Sequence, residues 1–298
     1  MKKYLSLLLK VIGGILFAFA LHKFFVLSPW EKVQFEHPIY ILFAFLLMPI
    51  NWSLEALKWK KLISPKWQIS FKEALLGVFS GVGGSLIAGR AVGSIMGRYW
   101  SLPKEEDRSK IIAPVLLGQW IQGIFTYLFG GISILMLGIH QINVVQLKYE
   151  YLFLIAFIIL LVGIVLFFVI KTPSIQKKLI NQLELIRQYD INILASITLC
   201  SGLRYFIFTL QFVIILYTFS EGEAWWIYFQ WVSIIYLIKT LTPVMNMMMD
   251  IGARELSAYY IFLHYGADTN IALMSSLIVW GINILIPSLV GLTVRWRL

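Results

Sequence analysis

The residues best placed to do chemistry are charged side chains embedded in apolar runs. They are Glu55, Arg90 and Arg98 in the first half of the chain and Arg204, Lys239, Asp250, Arg254 and Glu255 in the second. A charge at the centre of a bilayer costs on the order of 3 kcal/mol even on lenient insertion scales, so something must offset each one. Guanidinium groups offset it by holding phosphate through paired hydrogen bonds, and carboxylates by meeting a cationic headgroup or balancing the arginines. The residues Arg90, Arg204, Lys239, Asp250, Arg254 and Glu255 are therefore the candidate substrate-binding set. For Arg204 and Lys239 a purely structural ion-pair role is the competing reading. Glu55 and Arg98 lie near the ends of their runs, which favours internal ion pairs and snorkelling over binding.

Other chemistry is poorly represented. No nucleophile and base arrangement stands out, and the phosphate loop G-x-x-x-x-G-K does not occur. The histidines His22, His37, His140 and His264 have no metal-ligand spacing, and Cys200 is alone. No catalytic residue, metal or cofactor is expected. Gln119, Gln122 and Asn51 either line a cavity or hydrogen-bond between helices.

The elements that must carry these residues are membrane helices. Of 298 residues, 59% are hydrophobic and 13% charged, and the mean hydropathy is +0.81. No single water-facing globule hides that much apolar side chain, and runs of about 20 residues recur along the whole chain. Strands of alternating polarity do not, which excludes a β-barrel. The net charge of +10 is spread over short loops rather than one stripe, so it reports membrane orientation and not nucleic acid. The first run, 4–27, reads as a span rather than a cleaved leader, because Lys10 interrupts it and it continues past Ala18-Phe19-Ala20. Many tryptophans, among them Trp30, Trp52, Trp59, Trp67, Trp100, Trp225, Trp226 and Trp296, fall near expected span ends and fit interfacial belts.

Further spans are expected over 39–59, 111–137, 151–170, 193–219 and 270–294. Two apolar stretches are interrupted: 71–100 by seven glycines, Arg90 and Arg98, and 225–266 by Lys239, Pro243, Asp250, Gly252, Arg254 and Glu255. The glycines serve either close helix packing, as in Gly77-xxx-Gly81, or a broken helix. If each interrupted stretch enters and leaves on one side, the lysine-rich segments 58–72 and 171–187 both face the cytoplasm, as do both termini. The expectation is an all-α polytopic bundle of about six full spans plus two broken or re-entrant segments, forming one membrane domain over 1–298. Its order of elements repeats, 4–138 and then 151–294 upside down, and inverted repeats with broken helices hold their substrate near the midplane.

The interrupted segments resemble a known family. Leu54-Glu55-Ala56-Leu57-Lys58-Trp59 followed by Ala88-Gly89-Arg90-Ala91-Val92-Gly93, and later Asp250-Ile251-Gly252-Ala253-Arg254-Glu255 with Pro243 upstream, is similar to the lysylphosphatidylglycerol synthase transmembrane-region family. That resemblance spans the chain and implies a stand-alone flippase for a phosphate-bearing lipid, with Arg90, Arg254 and Glu255 as the matched polar residues. The chain departs from the family pattern at Lys58, at Ala88, and at Val92-Gly93, where a glutamate is missing. It also lacks the cytosolic aminoacyl-transfer domain of two-part relatives, so a separate biosynthetic enzyme is the implied partner. The expected location is a bacterial inner membrane, and the expected ligand a phospholipid or lipid-linked substrate. An integral membrane transferase acting on a lipid-linked substrate and a non-catalytic accessory subunit of envelope lipid biosynthesis are the alternatives.

Overall fold

The computed structural model describes residues 33–103, 108–140, 186–219, 222–242 and 247–294. Every regular element among them is helical. The expected spans 4–27 and 151–170 lie outside the described residues, as do Trp30 and Trp296. Among the described residues, four helical stretches are long and apolar enough to cross a membrane: Ile39–Ile63, Ile112–Leu137, Ile191–Tyr217 and Thr269–Thr293. They are what a multi-pass membrane protein requires.

Helix α1, Ile39–Ile63, begins after Pro38, whose ring fixes a helix-ready φ, and ends with Lys60 and Lys61 in its last turn. Helix α2, Phe71–Ala88, opens on a reciprocal capping box between Ser70 and Glu73. It stops at Gly89, whose φ of 80° is closed to most side chains, and α3, Arg90–Trp100, starts at once. The two run antiparallel. A Cβ on Gly77 would strike Ser101, one on Gly97 would lie 2.0 Å from the Gly81 nitrogen, and one on Gly93 would lie 2.2 Å from the Ser85 nitrogen. Backbone-to-backbone contact of that kind is open only to glycine, so the glycines of this stretch are the seam of a helical hairpin. On its other side α2 meets the C-terminal helix, where a Cβ on Gly291 would overlap the Phe79 carbonyl.

Helix α4 is Ile112–His140. Helix α5, Ile191–Tyr217, is capped by Asp190, which accepts from the Ile193 amide at 2.7 Å. It lies antiparallel to α1: Tyr189 donates to the Leu62 carbonyl at one end, Gln211 to the Ala44 carbonyl at 2.8 Å, and Glu36 and His37 to the Thr218 carbonyl at the other. Helices α6, Trp225–Leu241, and α7, Met247–His264, form a second antiparallel pair. Trp231 stacks on Tyr265 and meets Phe262 edge-on, while Tyr228 stacks on Phe262. The chain closes with α8, Thr269–Trp280, a π-helical turn over Gly281–Leu285, and α9, Ile286–Thr293. Pro287 has no N–H and its ring crowds the carbonyl of Asn283, which accounts for the widened turn there.

The belt expectation for tryptophan needs correction. Trp52, Trp59 and Trp67 are buried in the core, whereas Trp225 and Trp226 are exposed at the start of α6. Position along the sequence places all three near a span end, but α1 continues through Trp52 and Trp59 and packs them inward, and the segment after α1 folds Trp67 into the same core.

Candidate functional site

The centre of charge is Glu55, on the buried face of α1. Its carboxylate receives three cations from three helices: Lys58 one turn on at 2.6 Å, Arg98 from α3 and Arg204 from α5. All four side chains are nearly sealed from solvent, Arg204 being the most open at 13%. Arg204 also donates through Nε to Asn51 Oδ1 at 3.0 Å. Asn51 in turn reaches Asn283 in the π-helical turn. Arg98 bonds the Ser94 carbonyl at 3.2 Å and the Ser94 hydroxyl, and the Lys58 ammonium reaches the Gly118 carbonyl of α4 at 3.4 Å. The Trp59 ring lies 5.6 Å from the Arg98 guanidinium and the Trp52 ring 5.4 Å from that of Arg204. Two tryptophan rings thus stabilise two of the cations that Glu55 pairs with.

The arithmetic of this cluster decides its chemistry. Among the described residues, one carboxylate against Lys58, Arg98 and Arg204 leaves a formal charge of +2. A lysine can give up its proton, but a guanidinium does not, so at least +1 remains in any protonation state that keeps Glu55 ionised. Arg204 stands roughly 20 Å along α5, close to its midpoint, which is the depth at which uncompensated charge is most costly. Such a site has the chemistry of an anion receptor: two forked donors and an ammonium arranged around a position now held by a single carboxylate.

A second, smaller group lies between α7 and α8. Arg254 is 2% exposed; its Nε donates to Ser276 Oγ at 2.8 Å and its Nη2 to Glu255 Oε1 at 2.9 Å. Ser276 completes the triangle by donating to the same oxygen at 3.0 Å. This group is neutral overall, and no hydrogen bond or ion pair among the described residues joins it to the Glu55 cluster.

The candidate set is therefore divided. Arg204 belongs to the Glu55 cluster, while Arg254 and Glu255 pair with each other. Lys239 is half-buried near the end of α6. The side chains of Arg90 and Asp250 lie outside the described residues, although Arg90 is placed at the first position of α3 and Asp250 in the first turn of α7. Glu55 and Arg98, for which internal ion pairs and snorkelling are expected, pair with each other, and neither snorkels: they are 6% and 7% exposed. Lys58 departs from the family pattern and is expected in the lysine-rich cytoplasmic segment 58–72; the structure instead buries it in α1 beside Glu55, because the helix continues past it to Ile63. A signal for it existed, because Asn51, Glu55 and Lys58 follow each other at spacings of four and three, one polar stripe on an otherwise apolar helix.

Among the described residues no group of histidine, cysteine and carboxylate side chains is arranged to hold a metal. No family model and no curated protein matches the sequence.

Proposed function

We propose that this protein is a lipid translocase of the inner membrane that binds a phosphate-bearing headgroup inside the bilayer and helps it cross. The observation that carries the reading is the buried surplus of positive charge around Glu55, which an anionic headgroup would neutralise. Support comes also from the direction of the helices. α1, the α2–α3 hairpin and α4 have counterparts in α5, the α6–α7 pair and α8–α9, and α1 runs opposite to α5. The proposed architecture is six spans and two re-entrant hairpins in two inverted halves, with the Glu55 to Arg204 contact joining the halves. Charge is distributed accordingly. Lys60, Lys61, Lys66 and Arg187 gather where α1 ends and α5 begins, the proposed cytoplasmic side, while Glu36 and Glu223 lie at the opposite end. The resemblance to the lysylphosphatidylglycerol synthase transmembrane region points the same way.

The test is leaflet-resolved lipid movement in liposomes holding the purified chain, wild type beside Arg204→Gln. Accelerated equilibration of an anionic phospholipid that is lost in the variant supports the reading. No acceleration with any phospholipid removes it in favour of a transferase or an accessory subunit.

A further inference from the structure

Lys58 stands apart from the other cations of the Glu55 cluster in what it can do with its charge. A guanidinium keeps its proton at any accessible pH, whereas an ammonium exchanges one. The Lys58 proton is therefore the one that can leave while both arginines and Glu55 stay ionised and paired. Its surroundings accommodate either state. Two acceptors among the described residues face Lys58 Nζ, Glu55 Oε2 at 2.6 Å and the Gly118 carbonyl of α4 at 3.4 Å. A neutral amine has two N–H groups and satisfies both; an ammonium has a third, for which the described residues supply no acceptor. Gly118 opens the slot that the side chain occupies, since a Cβ there would lie 2.8 Å from Leu62 Cδ1 and 3.7 Å from Lys58 Cε.

Charge balance shows what such an exchange is coupled to. The charged groups acting on Lys58 are Glu55 on its own helix, Arg98 on α3 and Arg204 on α5; Cys200 on α5 also interacts with it electrostatically, and α4 presents the Gly118 carbonyl. With Lys58 neutral and no anion bound, the described cluster carries +1; with Lys58 protonated and one monoanion bound, it again carries +1. The buried charge stays constant only if proton and anion come and go together, and a negative charge nearby favours the ammonium. Water is close on one side, because Lys58 lies five residues, roughly 8 Å, before the end of α1, where Lys61 is exposed. We propose that Lys58 is the proton-exchange site of a proton-coupled anion carrier. As an anion enters the cluster, the Nζ lone pair takes a proton from water and forms an N–H bond; as the anion leaves, that bond breaks and the proton returns to water. The proposal rests on reading the cluster as an anion receptor and adds the coupled ion to it.

Calorimetric titration of phosphatidylmethanol into the delipidated full chain in detergent, repeated in two buffers of different ionisation enthalpy, counts the protons taken up per anion bound. The probe is a phosphodiester whose own charge is constant from neutral pH to the lysine range near 10. The wild type is expected to take up a proton with the anion as the pH rises above neutral. Its affinity should fall roughly tenfold across that range, because loss of the Lys58 proton removes one attractive charge. Lys58→Arg, whose charge is permanent, should bind the probe without proton uptake and with an affinity that does not change with pH, while Cys200→Ser should behave as the wild type. Binding without uptake by the wild type overturns the proposal and leaves the anion receptor standing. Uptake that survives in Lys58→Arg does the same, as does uptake that appears only as the pH falls, the mark of the Glu55 carboxylate. No binding of the probe at any pH removes the receptor reading and the coupling with it.

Discussion

Replacing Glu55 by glutamine keeps the shape of the side chain and an acceptor oxygen but removes the only negative charge among the described residues of the cluster. The consequence follows from counting pairs. Glu55 makes three attractive contacts, with Lys58, Arg98 and Arg204, and the three cations repel one another in three pairs. Glu55→Gln deletes all three attractions and leaves all three repulsions. Arg204→Gln deletes one attraction and two repulsions. At about 4 kcal/mol for a contact pair in an effective dielectric near 20, the first change is severe and the second is close to balanced. Relaxation and water entry reduce the raw figure, and breaking a buried pair from one side costs about 3–5 kcal/mol in practice. Glu55→Gln is thus expected to destabilise the protein by roughly that amount, and Arg204→Gln by at least about 2 kcal/mol less. Intrinsic tryptophan fluorescence during thermal unfolding in a detergent free of anionic lipid provides the assay, because Trp52 and Trp59 report from the cluster itself. Adding back an anionic phospholipid should stabilise the wild type more than Arg204→Gln. The reasoning is refuted if Arg204→Gln is the more damaging change in the absence of anionic lipid, since the cluster would then not be limited by excess positive charge.

Gly97→Ala should cost about 1–3 kcal/mol by overpacking, because its Cβ would meet the Gly81 backbone at 2.0 Å, whereas Gly131→Ala, with nothing within 4 Å, should be neutral or stabilising; the folded fraction on size-exclusion chromatography separates the two. Arg254→Ala should destabilise by a few kcal/mol by stranding the Glu255 carboxylate, and Arg254→Ala with Glu255→Ala should recover part of that loss, as a thermal-unfolding double-mutant cycle would show. Burial raises the Tyr189 phenol above its ordinary value near 10. The contribution it makes is complete below that value and is lost as the pH rises beyond it, so stability should fall on the alkaline side and Tyr189→Phe should shrink that dependence, read as the unfolding temperature against pH. In a Cys200→Ser background, a cysteine at Lys61 should label only from the cytoplasmic face and one at Glu223 only from the opposite face.

The all-helical class, the four described candidate spans and the hairpin broken at Gly89 were legible because hydropathy and glycine are local signals, whereas Gly252, expected to interrupt 225–266, lies inside α7. A run of about 20 apolar residues states its own length, and Gly89 breaks a helix wherever it is packed. The tryptophans were misplaced for a reason of the same kind: distance along the chain does not say which face of α1 a ring occupies, and Trp52 and Trp59 fall on the face that carries Glu55. The π-helical turn was not anticipated either, although Pro287 four residues after Asn283 is the local cause that puts Asn283 beside Asn51.

The site was only half legible, and the missing half is an addition problem. Each charged residue read alone poses a single question, whether a partner compensates it, and the natural partner of an arginine in the membrane is a nearby carboxylate. That logic gives Glu55 and Arg98, each near the end of its run, an internal ion pair or a snorkelling path without naming the partner. It does not extend to the case in which one carboxylate is claimed three times, because Arg98 is 43 residues from Glu55 and Arg204 is 149. Only when α1, α3 and α5 are packed together does the sum become +2, and only the sum separates an internal ion pair from a receptor for an anion. The stripe Asn51, Glu55, Lys58 marked the face on which that sum would form. Its partners, Ser94 with Arg98 and Ser201 with Arg204, mark the corresponding faces of the other two helices at spacings of four and three. Polar stripes on separate membrane helices must find one another or a ligand, and here their charges do not cancel when they do.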